Sequence, residues 1–301
     1  MRSRRTLVVL VLALATAACT SSSPDDTGVA GPGTIVVGVS GAFTENQIVA
    51  EMYAQVLEDA GYRVERQLDL RSREVSQSAL EAGQIDVKPE YLSSLLLFVD
   101  PSAVASNDSA AVAEQLRSEF AERGVEVLTP SPAQDKNQFV ANPQTAQRFG
   151  LTTMSSLARV ADRLVLGAPP ECPQRPFCLA GLHERYGIMF DDFIPLDAGG
   201  PKTVAALLAD DVQVALLFST DPSIGENGFV PLFDDRELQD AENITPVIRA
   251  DALEPDIRTA LDGVSAALST EDVTSLIRDV AIEGQNIRDV AHGWLVENDL
   301  L

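Results

Sequence analysis

Apolar residues along positions 34–300 fall into two alternating rhythms, runs of strand length and stripes of helical spacing. Positions 34–39 are an apolar run that opens the fold as a strand. Ile48, Met52 and Val56, with Val49, Tyr53 and Leu57, then recur every three or four residues and predict a helix that Gly61 ends. Thr44, with Gln47 three positions on, reads as its capping box. Positions 62–70 alternate into a second strand. A second helix at 73–80 stops near Gly83, and 85–87 is a third strand. Strand, helix, strand, helix, strand implies a parallel sheet with right-handed crossovers.

Further along, a helix is expected at 109–123 and a strand at 125–128. The segment 129–137, with two prolines and a polar run, then reads as a crossing into a second lobe. That lobe takes a strand at 138–141, helices at 144–149 and 155–162, and strands at 163–166 and 193–196. A helix at 181–186, another at 203–209 and a strand at 212–218 complete it. Positions 244–249 look like a strand returning to the first lobe, before three helices at 255–268, 270–282 (capped by Ser269) and 286–297. The expected division is 34–134 for the first part of lobe I, 135–225 for lobe II, and 226–301 for the return. The class is α/β, each lobe a sheet flanked by helices.

The stretch 82–94 carries a candidate site. It reads as a helix end, a short strand, a turn at Pro89, then Tyr91 ahead of Ser93 and Ser94. Aromatic and hydroxyl side chains at the carboxyl edge of a parallel strand are a common ligand wall. The pattern Ala79-Leu80-x-Ala82-x-x-Ile85-x-Val87-x-x-x-Tyr91-x-Ser93 aligns without gaps on Ala206-Leu207-x-Ala209-x-x-Val212-x-Val214-x-x-x-Phe218-x-Thr220. Two such units suggest two lobes facing one cleft, with Tyr91 and Phe218 as opposing walls.

The first residues are not part of this pattern. Arg2, Arg4 and Arg5 precede an apolar run at 7–15, too short for the roughly 20 residues that span a bilayer, so 1–18 reads as an export signal. Thr16-Ala17-Ala18-Cys19 resembles a bacterial lipobox, which makes Cys19 the expected lipidation site. Positions 19–33, rich in Ser, Gly, Asp and Pro, read as a flexible tether. The chain is expected to be exported and lipid-anchored on the extracytoplasmic side.

Cleavage after residue 18 would remove three arginines and no acids, taking the net charge from −23 to about −26. Such a surface repels phosphate backbones and excludes nucleic-acid partners. With Cys19 assigned to lipid, Cys172 and Cys178 remain, and in an exported chain a disulfide is the expected pairing. A metal pair is the alternative, but His183 and His292, the only histidines, have no spacing that completes a site. No phosphate loop or dinucleotide fingerprint is present, and Gly38-Val-Ser40-Gly-Ala42 lacks the last glycine of a nucleophile elbow. Asp86 and Glu90 could pair as carboxylates, yet nothing else asks for catalysis. A binding protein without cofactor or metal is the expectation, with an enzyme as the lesser alternative.

Several ordered segments resemble the osmoprotectant-binding proteins of ABC importers, whose ligands are glycine betaine, carnitine, choline and proline. They are Phe43-Thr44-Glu45-Asn46-Gln47, Gly83-Gln-Ile85-Asp86-Val-Lys-Pro89-Glu90-Tyr91-Leu-Ser-Ser94, Asp197-Ala-Gly199, Phe218-Ser219-Thr220-Asp221 and Leu232-Phe233-Asp234-Asp235. The resemblance implies a two-lobed periplasmic-binding-protein fold of type II that closes on its ligand about crossings near 130–137 and 220–245. It implies a monomer that delivers a small-molecule solute to a permease and its ATPase. An aromatic cage holds the quaternary amine by cation–π attraction. Tyr91 and Phe218 fall on cage rings, Ser94 on a hydroxyl contact to the ligand carboxylate, and Asn46 or Gln47 on an amide contact. Where the family has two further tyrosines, this chain reads Asn137, with Phe139 two residues on, and Thr203-Val204. A cage so reduced leaves open a different solute, such as an amino acid or an aromatic metabolite. Lys88 and Lys202 lie beside candidate cleft positions, where a cation would attract a carboxylate and repel choline.

Overall fold

The structure is a computed structural model that describes residues 33–41 and 43–301. The export signal, Cys19 and nearly all of the tether lie outside the described residues. Among the described residues no helix is long and apolar enough to cross a membrane.

Two five-stranded sheets form the frame. The first uses β1 (Thr34–Ser40), β2 (Arg63–Leu70), β3 (Val87–Tyr91), β4 (Val125–Val127) and β10 (Ile244–Arg249) in the order β2-β1-β3-β10-β4. The second uses β5 (Asn137–Ala141), β6 (Val165–Ala168), β7 (Asp192–Pro195), β8 (Val214–Phe218) and β9 (Val230–Pro231) in the order β7-β6-β8-β5-β9. The lobes therefore share one topology. In each, three parallel strands are followed by an antiparallel strand that has just arrived from the other lobe: β10 beside β3, and β5 beside β8. The repeated sequence pattern falls on equivalent places, since β3 and β8 are both third in order. Tyr91 ends one and Phe218 the other, each facing an incoming strand at Ile244 and Asn137 respectively.

Helices cover both sheets because their apolar stripes need a partner face. The helix α1 (Thr44–Asp59) is buried along most of its length, packed with Trp294 and Leu295 of the last helix and Leu261 of the helix Pro255–Ala267. The helix α2 (Arg73–Glu81) lays Ala79 and Leu80 against Ile85 and the helix Leu92–Val99. The second lobe has its own core around Phe139, Leu166, Val214 and Leu216.

Several elements differ from the sequence reading. The third strand is not 85–87 followed by a proline turn. It runs through Pro89 to Tyr91, and all five of its residues are buried. A proline is tolerated there because Pro89 faces Pro246 across the antiparallel pair, where neither strand has an N–H to give. The helix Leu92–Val99 begins at once, at the small hydroxyl residues that follow Tyr91. Thr44 is the first residue of α1 rather than its cap, and no side chain caps that helix; Gln47 instead donates to the Leu68 carbonyl at 2.7 Å. The single helix expected at 181–186 is a short helix Leu179–Gly181 continued by a π-type turn Leu182–Tyr186. β9 keeps the chain in the second sheet beyond 225, and a bridge between Thr153 and Phe233 extends that contact.

Candidate functional site

The carboxyl ends of β1, β2 and β3 point the same way, so the loops that follow them converge on one edge of the first sheet. That edge carries Phe43 and Glu45 from the start of α1, Arg71 and Ser72 from the start of α2, and Tyr91. The corresponding edge of the second lobe carries Phe218 at the end of β8 and the turn 197–200 before the helix Pro201–Leu208. Between the two edges lies a cavity of about 830 Å³, lined from the first lobe by Phe43, Glu45 and Ile282 and from the second by Phe218, Val204 and Thr220.

Phe43 and Phe218 meet edge to face across this cavity, ring centroids 5.7 Å apart with planes at 75°. The second ring owes its place to local backbone chemistry. Asp197 accepts from the Lys202 and Thr203 amides and from the Thr203 hydroxyl, fixing the start of the helix Pro201–Leu208. Gly199 then turns at φ +71°, and a Cβ there would stand 3.2 Å from the Phe218 ring.

The floor of the cavity is acidic. Tyr91 donates its hydroxyl to Glu45 Oε1 at 2.6 Å, and Thr220 donates to Asp135 Oδ1 at 2.7 Å. Burial raises the Glu45 carboxyl, and burial together with the Glu45 charge pushes Asp135 up to about 8. Burial, and then the charge on Glu45, raises the Tyr91 phenol well above its ordinary value. Tyr91, Glu45, Asp135 and Thr220 thus run from the end of β3, over the segment that crosses between lobes, to the end of β8. Asp221 and Glu226 add two further carboxylates to the wall. Two rings and several carboxylates lining one cavity form a surface matched to an organic cation.

The predicted site residues separate into groups. Phe218 and Val204 line the large cavity, whereas Tyr91 and Asn46 line a smaller one, about 260 Å³, on the first lobe, and Phe43 borders both. Asn137 and Phe139 of β5 line a third cavity of about 310 Å³ beside Lys136 and Phe233, on another face. Thr203 is buried and bonded to Asp197. Gln47 is bonded to Leu68. The hydroxyl and amide of Ser94 both donate to Glu242, at 2.7 and 3.2 Å, and burial holds that carboxyl up at about 7.

Other expectations are corrected. Lys88 is not a cleft cation: its ammonium is fully buried and bonds Glu90 at 2.8 Å and Ser76 at 3.3 Å. Lys202 is exposed. Asp86 and Glu90 do not form a carboxylate pair. Asp86 accepts from the Val36 amide and faces Arg249, while Glu90 is held by Lys88 and Arg73. Cys172 and Cys178 are joined by a disulfide, Cα atoms 5.2 Å apart.

Phe43, Glu45 and Asp135 are the site residues that the sequence reading misses. Phe43 and Glu45 lie in the segment 43–47, and its likeness to the family's loop-to-helix start is the available signal. Asp135 gives none, because its role depends on where the crossing segment lies.

A family model, the substrate binding domain of ABC-type glycine betaine transport systems, matches residues 33–297. The glycine betaine-binding protein YehZ of Escherichia coli (strain K12) is 26% identical over 265 residues, which cover 84% of this chain and 87% of that protein. The carnitine transport binding protein OpuCC of Listeria monocytogenes serotype 1/2a (strain 10403S) is 26% identical over 254 residues, covering 81% and 80%. A crystal structure described as a glycine betaine/carnitine/choline ABC transporter superposes with a TM-score of 0.79 at 21% identity, over 89% of this chain and 98% of that one.

Proposed function

The chain belongs to the family of substrate-binding domains of ABC-type glycine betaine transport systems, and from that premise we propose that its cleft takes up a small quaternary amine for delivery to an importer. The observation that carries the reading is that the ring pair Phe43–Phe218 lines one cavity between the lobes together with Glu45 and Asp135. Each ring contributes on the order of 0.5–2 kcal/mol to a trimethylammonium group held against it. A cavity of this size exceeds what one small amine fills, so closure of the lobes is the step that expels water and brings the second wall to the ligand. The closed form is what a permease with its ATPase would read.

The roles assigned to individual residues follow from chemistry. Phe43 and Phe218 are the ring walls. Glu45 supplies negative charge, Asp135 holds its proton until pH rises through about 8 and adds charge above that, and Tyr91 orients Glu45 through its hydroxyl. Phe43 takes over the wall that the sequence pattern assigns to Tyr91, whose hydroxyl is already committed. Binding without turnover fits this arrangement, since the carboxylates face a group that has no proton to give.

Titration calorimetry against glycine betaine, carnitine, choline and proline tests the reading. At least one quaternary amine should bind, and Phe218→Ala should weaken it at least tenfold. Silence across the panel would overturn the quaternary-amine reading.

The receptor would be held at the membrane by lipid on Cys19, after export and cleavage. Mass analysis of the membrane fraction should find a diacylated Cys19 at the mature N-terminus, and Cys19→Ser should release the protein to the soluble fraction. A soluble wild type would remove the anchor from the proposal.

A further inference from the structure

Both chain crossings between the lobes leave the second lobe beside the disulfide loop. The first crossing is short. Ala133 is packed in the core of the first lobe and Phe139 in that of the second, and Lys136 already exchanges hydrogen bonds with Ser219 at the end of β8. The return is shorter still: Leu238 is buried in the second lobe's core and Ala241 in the first lobe's, so only Gln239 and Asp240 lie between. The two crossings run side by side, joined by a bridge between Gln134 and Asn243 and by the Asp135 amide donating to the Glu242 carbonyl. The loop 172–178 follows β6, which is parallel to β8, so it stands at the same edge of the second sheet as Phe218. It meets both crossings through one atom. The Phe177 carbonyl accepts from the side-chain amide of Asn137, the first residue of β5, at 3.4 Å, and from that of Gln239 at 2.9 Å.

The surroundings of the loop hold that carbonyl in place. Cys172 and Cys178, each 2% exposed, belong to the same buried cluster as Leu238. Gly181 passes so close that a Cβ there would stand 1.8 Å from the Pro176 carbonyl oxygen and 2.6 Å from Leu238, which packs the loop and the return segment against one helix. The π-type turn that follows, a form often found at functional positions, delivers Tyr186. Its hydroxyl donates to Asp234, whose other oxygen accepts from the Gln239 amide at 2.7 Å. Gln239 is therefore held twice, at its backbone by way of the turn and at its side chain by the loop. We propose that the disulfide loop is a pivot clamp: through the Phe177 carbonyl it holds the two crossings together where they leave the second lobe, and so restricts the lobes to one axis of closure. A hinge absorbs its motion over a few residues, so bonds at the ends of those residues decide which rotations it allows. A short loop closed by a covalent bond has few other conformations to carry the carbonyl away. Both cysteines are buried, so the bond is a permanent part of the clamp and not a switch.

Hydrogen exchange on the full chain without ligand tests the clamp. Its loss, in Cys172→Ser/Cys178→Ser or in Gln239→Met, should speed exchange of the crossing amides of Asp135, Lys136 and Ile244 at least tenfold, while the amides of β6 and β8 in the same lobe stay within about twofold of the wild type. Gln239→Met keeps the length of the side chain and removes its donor, and it carries the test if the serine pair fails to fold. Added to the serine pair, Gln239→Met should speed the crossings by less than about twofold more, because both changes remove the same tie. Acceleration of β6 and β8 equal to that of the crossings would mean that the loop only stabilises the second lobe, and unchanged crossings would mean that it holds neither. Either result overturns the clamp. The measurement needs no ligand, so its outcome is separate from that of the quaternary-amine reading.

Discussion

At the residue scale, the Glu45–Asp135 pair makes the cleft sensitive to protons. The Asp135 carboxyl sits at about 8, raised from its ordinary value of 3.8 by burial and by the charge on Glu45. A raised carboxyl keeps its proton in the folded state after the unfolded chain has lost it. The stability it contributes is complete below its ordinary value and is lost progressively as pH rises from there through 8. Asp135→Asn should therefore come closest to the wild type in melting temperature near pH 4, where the folded carboxyl is as neutral as the amide. At pH 9 the variant should have gained on the wild type by about 1–3 kcal/mol. Full burial would give more, about 1.4 kcal/mol for every tenfold change in the proton equilibrium, but water reaching the cavity screens part of it. Parallel melting curves across that range would show that Asp135 does not titrate in this way. Residues of this kind resist sequence reading. Lys88 and Glu90 sit in a fully buried strand because they neutralise each other there. A charge balanced by a partner two positions away breaks the apolar rhythm without being a surface charge.

At the element scale, what the sequence discloses is periodicity and repetition. Long stripes such as Ile48, Met52 and Val56 place α1, and the aligned pattern at 79–93 and 206–220 locates equivalent strands in the two sheets. Apolar spacing survives in the sequence because each element must bury one face of itself. Element ends are less legible, because they depend on partners from elsewhere in the chain. β3 continues past Pro89 only because Pro246 faces it, and Gln47 leaves its expected cap for a carbonyl on β2. The loop closed by Cys172 and Cys178 shows the same dependence. The carbonyl of its Phe177 accepts from Asn137 at 3.4 Å and from Gln239 at 2.9 Å, ties that span 40 and 62 positions. Asn137, expected in the cleft, is instead drawn towards this loop.

At the scale of the whole molecule, the rim of the large cavity bears on how the lobes would come together. Leu208 from the second lobe is 60% exposed and Ile282 from the first is 53% exposed, and both line that cavity. Large apolar side chains left in water at a cleft mouth lower the free energy of any arrangement that covers them, by about 25 cal/mol for each Å² removed from water. Closure about the crossing segments would cover both, so ligand affinity draws on this apolar rim as well as on direct contacts. Asp221 and Glu226 line the same cavity, and closure brings them nearer to the carboxylates of the first lobe. Leu208→Asp should then act twice, by removing apolar cover and by adding like charge. We expect it to weaken the quaternary amine that binds the wild type by about tenfold, equivalent to about 1.4 kcal/mol, and to reduce the ligand-induced compaction seen in solution scattering. Leu208→Asn should show the apolar part of the loss alone, and its deficit should not change with salt, whereas the extra deficit of the aspartate should shrink as salt screens it. Affinity and compaction unchanged in both variants would mean that the rim plays no part in closure.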